Sequence, residues 1–405
     1  MYKFLGRFLI LSLLTGTFAA SGQIDPEKRQ LLQFGYNQPL VGRSPVSGYA
    51  FYFRNDPGFM RTNITLRLAL APVYLDTELG FKGAISPRTD LAIGLSGGGF
   101  ADSYFEYRRG NWNKQESFTG HGGEVSASIY HLFNPTQRIP LSGIFRLAPH
   151  YSLYERDSDT AAGFVLPNDH SSMNLRTGLR LGGREPTIFP QLALELSAWY
   201  EGQYRLDDGH YGFAGDRKLE DFSHLIWGRA LFIYTLPELK HNFGISFTTG
   251  TSIDADRFSA YRLGGSLPLA SEFPLTLPGY YYQELSARNF QLLAGQYTLP
   301  LDPKQNWNLT FTAAQAHVSY LEGLQQPNKW HSGIGLGLGY RSKSGMFQFV
   351  GGYSYGFEAQ RNGTRGGQSI GVLCQIDLEA HHRPAAVEPI DSPLKSRGLF
   401  KIFGE

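Results

Sequence analysis

Nine ionisable residues, Asp76, Glu78, Lys82, Glu124, Arg146, His150, Arg176, Arg180 and Glu195, stand at alternate positions among apolar ones. Period-two spacing turns all of them to one face of a sheet. Opposite charges so placed on neighbouring strands pair across the ladder. Such a row either lines a path selective for a polar solute or braces a closed barrel from inside; the residues alone fit both. Asp169-His170-Ser171-Ser172 gathers an acid, a base and two hydroxyls, the residue types of a hydrolase at a barrel rim. A nucleophilic serine needs a base oriented by an acid in space, and adjacency along a loop is ordinary turn chemistry. Gly94-Leu95-Ser96-Gly97-Gly98 resembles a nucleophile elbow but has no strand–turn–helix setting. His381-His382, like the 11 histidines as a set, show no metal-ligand spacing. No catalytic residue, metal or cofactor is therefore expected.

Other classes fall to composition. The 405 residues include 48 Gly, 29 Phe, 23 Tyr, 5 Trp and one Cys, with a net charge of only +2. So small a charge gives nucleic acid no hold, and no nucleic-acid partner is expected. One Cys cannot close an internal disulfide. Beyond the first twenty residues no apolar run approaches the ~18 residues of a membrane helix. Lys3 and Arg7 precede the apolar run Phe8 to Leu14, and small residues lead to Ala20-Ser21-Gly22. That layout predicts a signal peptide over residues 1–22 and an exported chain.

The elements that must position the charges are strands. In residues 346–357, Phe347, Phe349, Tyr353, Tyr355 and Phe357 share one face, against Gln348, Val350, Gly352, Ser354 and Gly356. Residues 333–340 set Ile334, Leu336, Leu338 and Tyr340 against four glycines, and residues 173–181 set Leu175 and Leu179 against Arg176 and Arg180. Period two over this length is the strand signature. Aromatic-rich apolar faces opposite polar or glycine faces fit an antiparallel transmembrane β-barrel, apolar outward, better than a soluble sandwich. The predicted strands are 30–37, 47–54, 62–71, 73–85, 90–107, 118–133, 140–154, 172–183, 189–203, 223–236, 241–251, 287–299, 306–319, 331–342, 346–357 and 368–379, sixteen in all. Residues 62–85 are also readable as one bent strand. The register predicts Leu175, Leu338 and Tyr353 facing lipid, and Arg176, Arg180 and Gly339 facing the lumen.

Connections alternate in length. Asn134–Pro140, Gly183–Pro190, Pro237–Lys240, Pro300–Lys304 and Arg341–Gly345 are short, whereas 108–118, 155–171, 204–222, 252–286, 320–330 and 358–367 are long. Barrels keep short turns at one end and long loops at the other. The longest loop, 252–286, is rich in Leu, Phe, Tyr and Pro and is expected to fold at the barrel mouth, because exposing that surface is unfavourable. The domain reading is a leader (1–22), a barrel (23–379) and a periplasmic tail (380–405).

Residues 257–300 carry a family resemblance. Leu263-Gly264-Gly265, then Leu277-Pro278-Gly279-Tyr280, then a strand from Asn289 ending in Pro300-Leu301 resemble the bacterial surface antigen domain, the barrel of the BamA/TamA-like assembly and secretion superfamily. The resemblance implies that Leu263, Gly264, Gly265, Gly279 and Tyr280 belong to a functional loop motif. It also implies a bacterial outer-membrane location, contact with outer-membrane lipids and a role in transport or assembly. In the family an Arg occupies the second position of the tetrapeptide, enters the lumen and pairs with acidic residues of nearby strands. Here Pro278 stands at that position, so the resemblance implies a loop without that anchor. The client-capturing POTRA domains have no room before the barrel, which implies a POTRA-bearing or periplasmic partner. The alternative is a stand-alone channel for small polar solutes lined by Glu124, Arg146, His150, Arg176, Arg180 and Glu195, with a hydrolase a distant third.

Overall fold

The structure, a computed structural model, describes residues 27–137, 139–184, 192–206, 209–267 and 273–380. The expected leader and the tail beyond residue 380 lie outside the described residues. Sixteen long strands form the wall: β1 (Arg29–Pro39), β2 (Ser47–Pro57), β3 (Ile64–Ala71), β4 (Tyr74–Ser86), β5 (Thr89–Gly98), β6 (Asn111–Leu132), β7 (Leu141–Glu155), β8 (His170–Arg184), β9 (Leu192–Arg205), β10 (Phe222–Thr235), β11 (Asn242–Ile253), β12 (Leu285–Pro300), β13 (Trp307–Tyr320), β14 (Trp330–Arg341), β15 (Phe347–Arg361) and β16 (Thr364–Asp377). Each pairs antiparallel with its chain neighbours, and β1 closes on β16 from Leu31 opposite Asp377 to Pro39 opposite Ser369. Closure leaves no sheet edge unpaired, the condition for a sheet to survive in lipid.

The strand count matches the sequence reading, and residues 62–85 resolve into two strands joined at Pro72-Val73. Two details differ. The stretch 90–107, read as one strand, stops at Gly98 and resumes as a separate hairpin strand, Tyr104–Arg108. Gly98 has φ +153°, and a Cβ there would lie 2.0 Å from the Val73 carbonyl oxygen, so the chain leaves the wall at the glycine run. The segments 108–118 and 358–367, read as long loops, are instead strand extensions closed by the tight turns Arg109-Gly110 and Asn362-Gly363. Asn-Gly with both φ positive is the preferred two-residue hairpin turn.

The outer face is apolar. Leu338 and Tyr353 are each 43% exposed and Leu196 is 60% exposed, together with Ile93, Leu179, Phe145, Ile245 and Phe311 around the wall. A continuous band of this kind is unstable in water and ordinary in lipid, which makes the barrel a transmembrane one. At the short-turn end, Trp307 packs 4.9 Å from Tyr340 and Tyr297 lies 4.8 Å from Phe243, an interfacial aromatic girdle.

The inner face has two halves. On β12 and β13 it is small and apolar, with Phe290, Leu292, Ala314, Ala316 and Val318 buried, and β14 adds the row Gly333, Gly335, Gly337 and Gly339. On β4 to β10 it carries ion pairs. At the long-loop end, Tyr104, Phe118, Phe164, Tyr211 and Leu219 form a second core with Phe258 and Tyr154. These residues come from four different loops and strand tops, so the long loops make a packed dome.

Candidate functional site

The connection from β11 to β12 enters the lumen instead of standing in solvent. Tyr261–Leu263 pairs with the start of β12. The chain then crosses inward, where the Gly264 N–H donates to the Leu275 carbonyl at 2.9 Å and the Leu277 N–H donates to the Gly265 carbonyl at 3.0 Å. Leu263, Leu277, Tyr280 and Leu285 pack on the apolar half of the wall and are essentially inaccessible. Full burial is worth about 1.5–3 kcal/mol for each such leucine.

The seat is shaped for backbone contact. A Cβ on Gly333 would stand 2.1 Å from the Pro278 carbonyl oxygen, and one on Gly279 (φ +82°) would stand 2.0 Å from the Gly356 nitrogen. Only glycine on both surfaces permits this approach. The Ser266 hydroxyl joins those of Ser354 and Ser369 at 2.5 and 2.8 Å, and the Tyr280 hydroxyl reaches His331 Nδ1 at 3.0 Å. Leu263, Gly264, Gly265, Gly279 and Tyr280 thus lie together on the inner side of β12 and β14–β16.

One ion pair fixes the outer end of the loop. The guanidinium of Arg361, at the tip of β15, donates from Nη1 and Nη2 to the two Glu284 oxygens at 2.8 Å each. It also donates to the Gly279 and Gly110 carbonyls at 3.3 Å and lies 3.6 Å over the Tyr281 ring. The Tyr281 hydroxyl donates to the Val41 carbonyl at 3.1 Å. The Arg361 and Glu284 side chains are 1% and 0% exposed. The lumen loop, the Arg109-Gly110 turn and the β15 tip therefore meet on one guanidinium, and the β1–β2 connection is tied in through Tyr281.

The sequence-derived charged residues occupy the opposite inner wall in two groups. Arg146 pairs with Glu124 at 2.5 Å, and His150 lies 2.8 Å from Asp102 and 3.8 Å from Glu124. Further round, Arg180 and Arg229 both bond Glu195, at 3.0 and 2.7 Å, and Arg176 faces Glu201 at 3.3 Å. Asp76 stands 3.7 Å from Arg67, and Glu78 accepts from the Tyr130 hydroxyl at 3.0 Å. Lys82 sits at the short-turn end of β4, away from both groups.

The Asp169–Ser172 segment is not assembled as a relay. Asp169 accepts from the Tyr154 N–H at 2.9 Å, and His170 Nδ1 lies 3.1 Å from the Asn168 carbonyl. In the dome, Glu106 bonds Arg108 at 3.0 Å and Arg257 at 3.3 Å, with Arg217 3.7 Å away. Burial alone would raise the Glu106 carboxyl, but Arg257 and Arg217 outweigh it and hold the group below the ordinary carboxylate range. Burial pushes Arg217 down to about 10, Glu106 opposing the shift. Among the described residues, no cluster of His, Cys, Asp and Glu is arranged to hold a metal ion.

No family model and no curated protein matches the chain. Solved structures do. CdiB from Acinetobacter baumannii superposes with a TM-score of 0.57 at 10% identity, over 86% of this chain and 60% of that one. CdiB from Escherichia coli gives 0.55 at 12%, over 87% and 64%. BamA from Haemophilus ducreyi lacking POTRA domains 1–3 gives 0.54 at 11%, over 86% and 71%. This is the BamA/CdiB barrel fold. The chain spans less than two thirds of the length of either CdiB.

The lumen loop departs in one respect from what the sequence resemblance implies. Pro278 occupies the position where the resemblance leads one to expect Arg, and the loop instead contributes the carboxylate, Glu284, to a cation supplied by β15. Relative to the anchor that the resemblance implies, the charges are exchanged, with the carboxylate on the loop and the cation on the wall. Neither partner was singled out from sequence, because they stand 77 residues apart and neither sits in an apolar alternation. The one available signal was Asn362-Gly363, which marks a turn and so places Arg361 at a hairpin tip.

Proposed function

We propose that this chain is a non-enzymatic outer-membrane protein that takes part in moving or assembling other polypeptides at that membrane, beside a POTRA-bearing or periplasmic partner. The observation that carries the reading is the loop seated across the lumen of a BamA/CdiB-type barrel. A plug held by a shaped seat and a buried ion pair suits a pore that opens for a client, not a standing path for solutes. Residues 1–22 act in this reading as the export leader. The apolar belt and its girdle support contact with outer-membrane lipids.

The test is affinity purification of the detergent-solubilised barrel from its own membranes. Stoichiometric recovery of a POTRA-bearing or periplasmic protein is the expected result, with the barrel sedimenting in the outer membrane and migrating in a heat-modifiable form. A monodisperse barrel with no partner refutes it. One observation favours a second reading, a channel for small polar solutes: charges of both signs line the inner wall of β4 to β10. That reading requires steady single-channel conductance in planar bilayers with the loop in place, whereas the plugged barrel is expected to be silent.

A further inference from the structure

The far end of the lumen loop reaches across to the charged wall and sets one ring into it. Phe273 meets Trp227 edge to face at 4.5 Å, and Trp199 lies 5.4 Å away. Those two indoles stack on each other at 5.6 Å. Around the same ring stand three guanidiniums, Arg229 at 4.4 Å, Arg176 at 5.2 Å and Arg180 at 5.7 Å from its centroid. Glu195 and Glu201 hold these cations in place. A cage of cations and indoles recognises the face of an aromatic ring and gives little to an aliphatic side chain. The indole N–H of Trp199, a residue only 3% exposed, has no acceptor among the described residues. A buried donor of this kind is unfavourable unless something supplies an oxygen, as the backbone carbonyl of a bound peptide would.

We propose that the inner wall of β8–β10 is a binding site for an aromatic side chain of an extended polypeptide, which Phe273 occupies while the barrel is closed. The inference rests on the reading that this barrel handles polypeptides, and it names what the lumen recognises in them. The loop residue holds the cage as a tethered competitor. A client bearing Phe, Tyr or Trp replaces it once the loop leaves its seat. The walls at β12–β14, apolar and glycine-rich, offer an aromatic ring no comparable cation.

The test uses the full-length barrel in detergent and the capped tetrapeptide Phe-Pro-Leu-Thr, the sequence of residues 273–276, with Leu-Pro-Leu-Thr as control. Binding is read by tryptophan quenching and by calorimetry. Phe273→Ala empties the cage; Phe273→Leu removes the ring but keeps apolar bulk, and whichever variant is heat-modifiable serves. The expected result is saturable binding of the Phe peptide and not the Leu peptide. The wild-type barrel should bind about tenfold or more weakly, because a tethered competitor acts at millimolar effective concentration. Adding Arg229→Met should lose about tenfold in affinity. Equal binding of the two peptides, or equal binding by wild type and variant, overturns the site. Recovery of a periplasmic partner in the purification above is read separately, so a failed cage and a failed function are told apart.

Discussion

Replacing Arg361 by Met removes the cation but keeps most of the stem, and leaves the Glu284 carboxylate without the cation that faces it at 2.8 Å. With 1% and 0% exposure, the pair is fully desolvated. Breaking one side of such a pair costs about 3–5 kcal/mol, mostly through the orphaned charge. That cost is relieved when the loop unseats and Glu284 meets water, so the loop-open state gains the same free energy. At 1.4 kcal/mol per tenfold, the open population rises by about 10² to 4 × 10³-fold. The assay is labelling of Leu277→Cys by a water-soluble maleimide in a Cys374→Ser background, since Leu277 is inaccessible when seated. Arg361→Met should speed labelling by that factor, and Glu284→Gln should act in the same direction. The double variant carries no orphaned charge and should return to within about tenfold of the background. If Arg361→Met labels within about threefold of the background while the barrel stays heat-modifiable, the ion pair does not hold the loop and the reasoning fails.

Leu338→Arg places a guanidinium on the lipid face and should destabilise the barrel by about 2–4 kcal/mol near the midplane, measured by reversible denaturant unfolding in lipid; a neutral result means the register is wrong. Gly333→Val drives a side chain into the Pro278 carbonyl, 2.1 Å from the first added atom, and should expose a cysteine at residue 277 without abolishing barrel formation. The dome should be acid-labile in a defined direction. Glu106 is held below its ordinary value of 4.5, so its stabilisation is complete above that value and is lost as pH falls through the lower folded one. Protease cleavage of the long loops should therefore be flat from neutral pH down to about 4.5 and rise only below it, with Glu106→Gln removing the rise.

The strands were legible because lipid imposes a rule on every second residue: Leu336 and Leu338 must be apolar, and the glycines between them are free to serve the lumen. That the loop folds back on the barrel mouth was legible from its own composition; how deep it sits in the lumen was not. The anchor was not, since Arg361 lies among Glu358, Gln360 and Asn362, which read as solvated loop until the turn at Asn362-Gly363 converts them into a hairpin. The break after Gly98 is hidden for the opposite reason, because Phe105, Glu106, Tyr107 and Arg108 resume an alternation that only three dimensions reveal to be a separate strand. The inward charges were visible, but Asp102, Glu201 and Arg229, which complete their pairs, come from strand ends and neighbours that no single-strand pattern joins.

The contact between the Arg109-Gly110 turn and Arg361 has a mechanical consequence. Gly110 belongs to the connection between β5 and β6, and Arg361 to the tip of β15, so the bond runs as a chord between distant points of the rim. A ring of hydrogen-bonded strands resists stretching but ovalises easily, because each strand pair acts as a hinge. A strut across one rim suppresses that mode there and leaves the girdle end the softer one. Any force that reshapes the hoop will therefore deform it first at the short-turn end, and reach the dome only after the chord has parted.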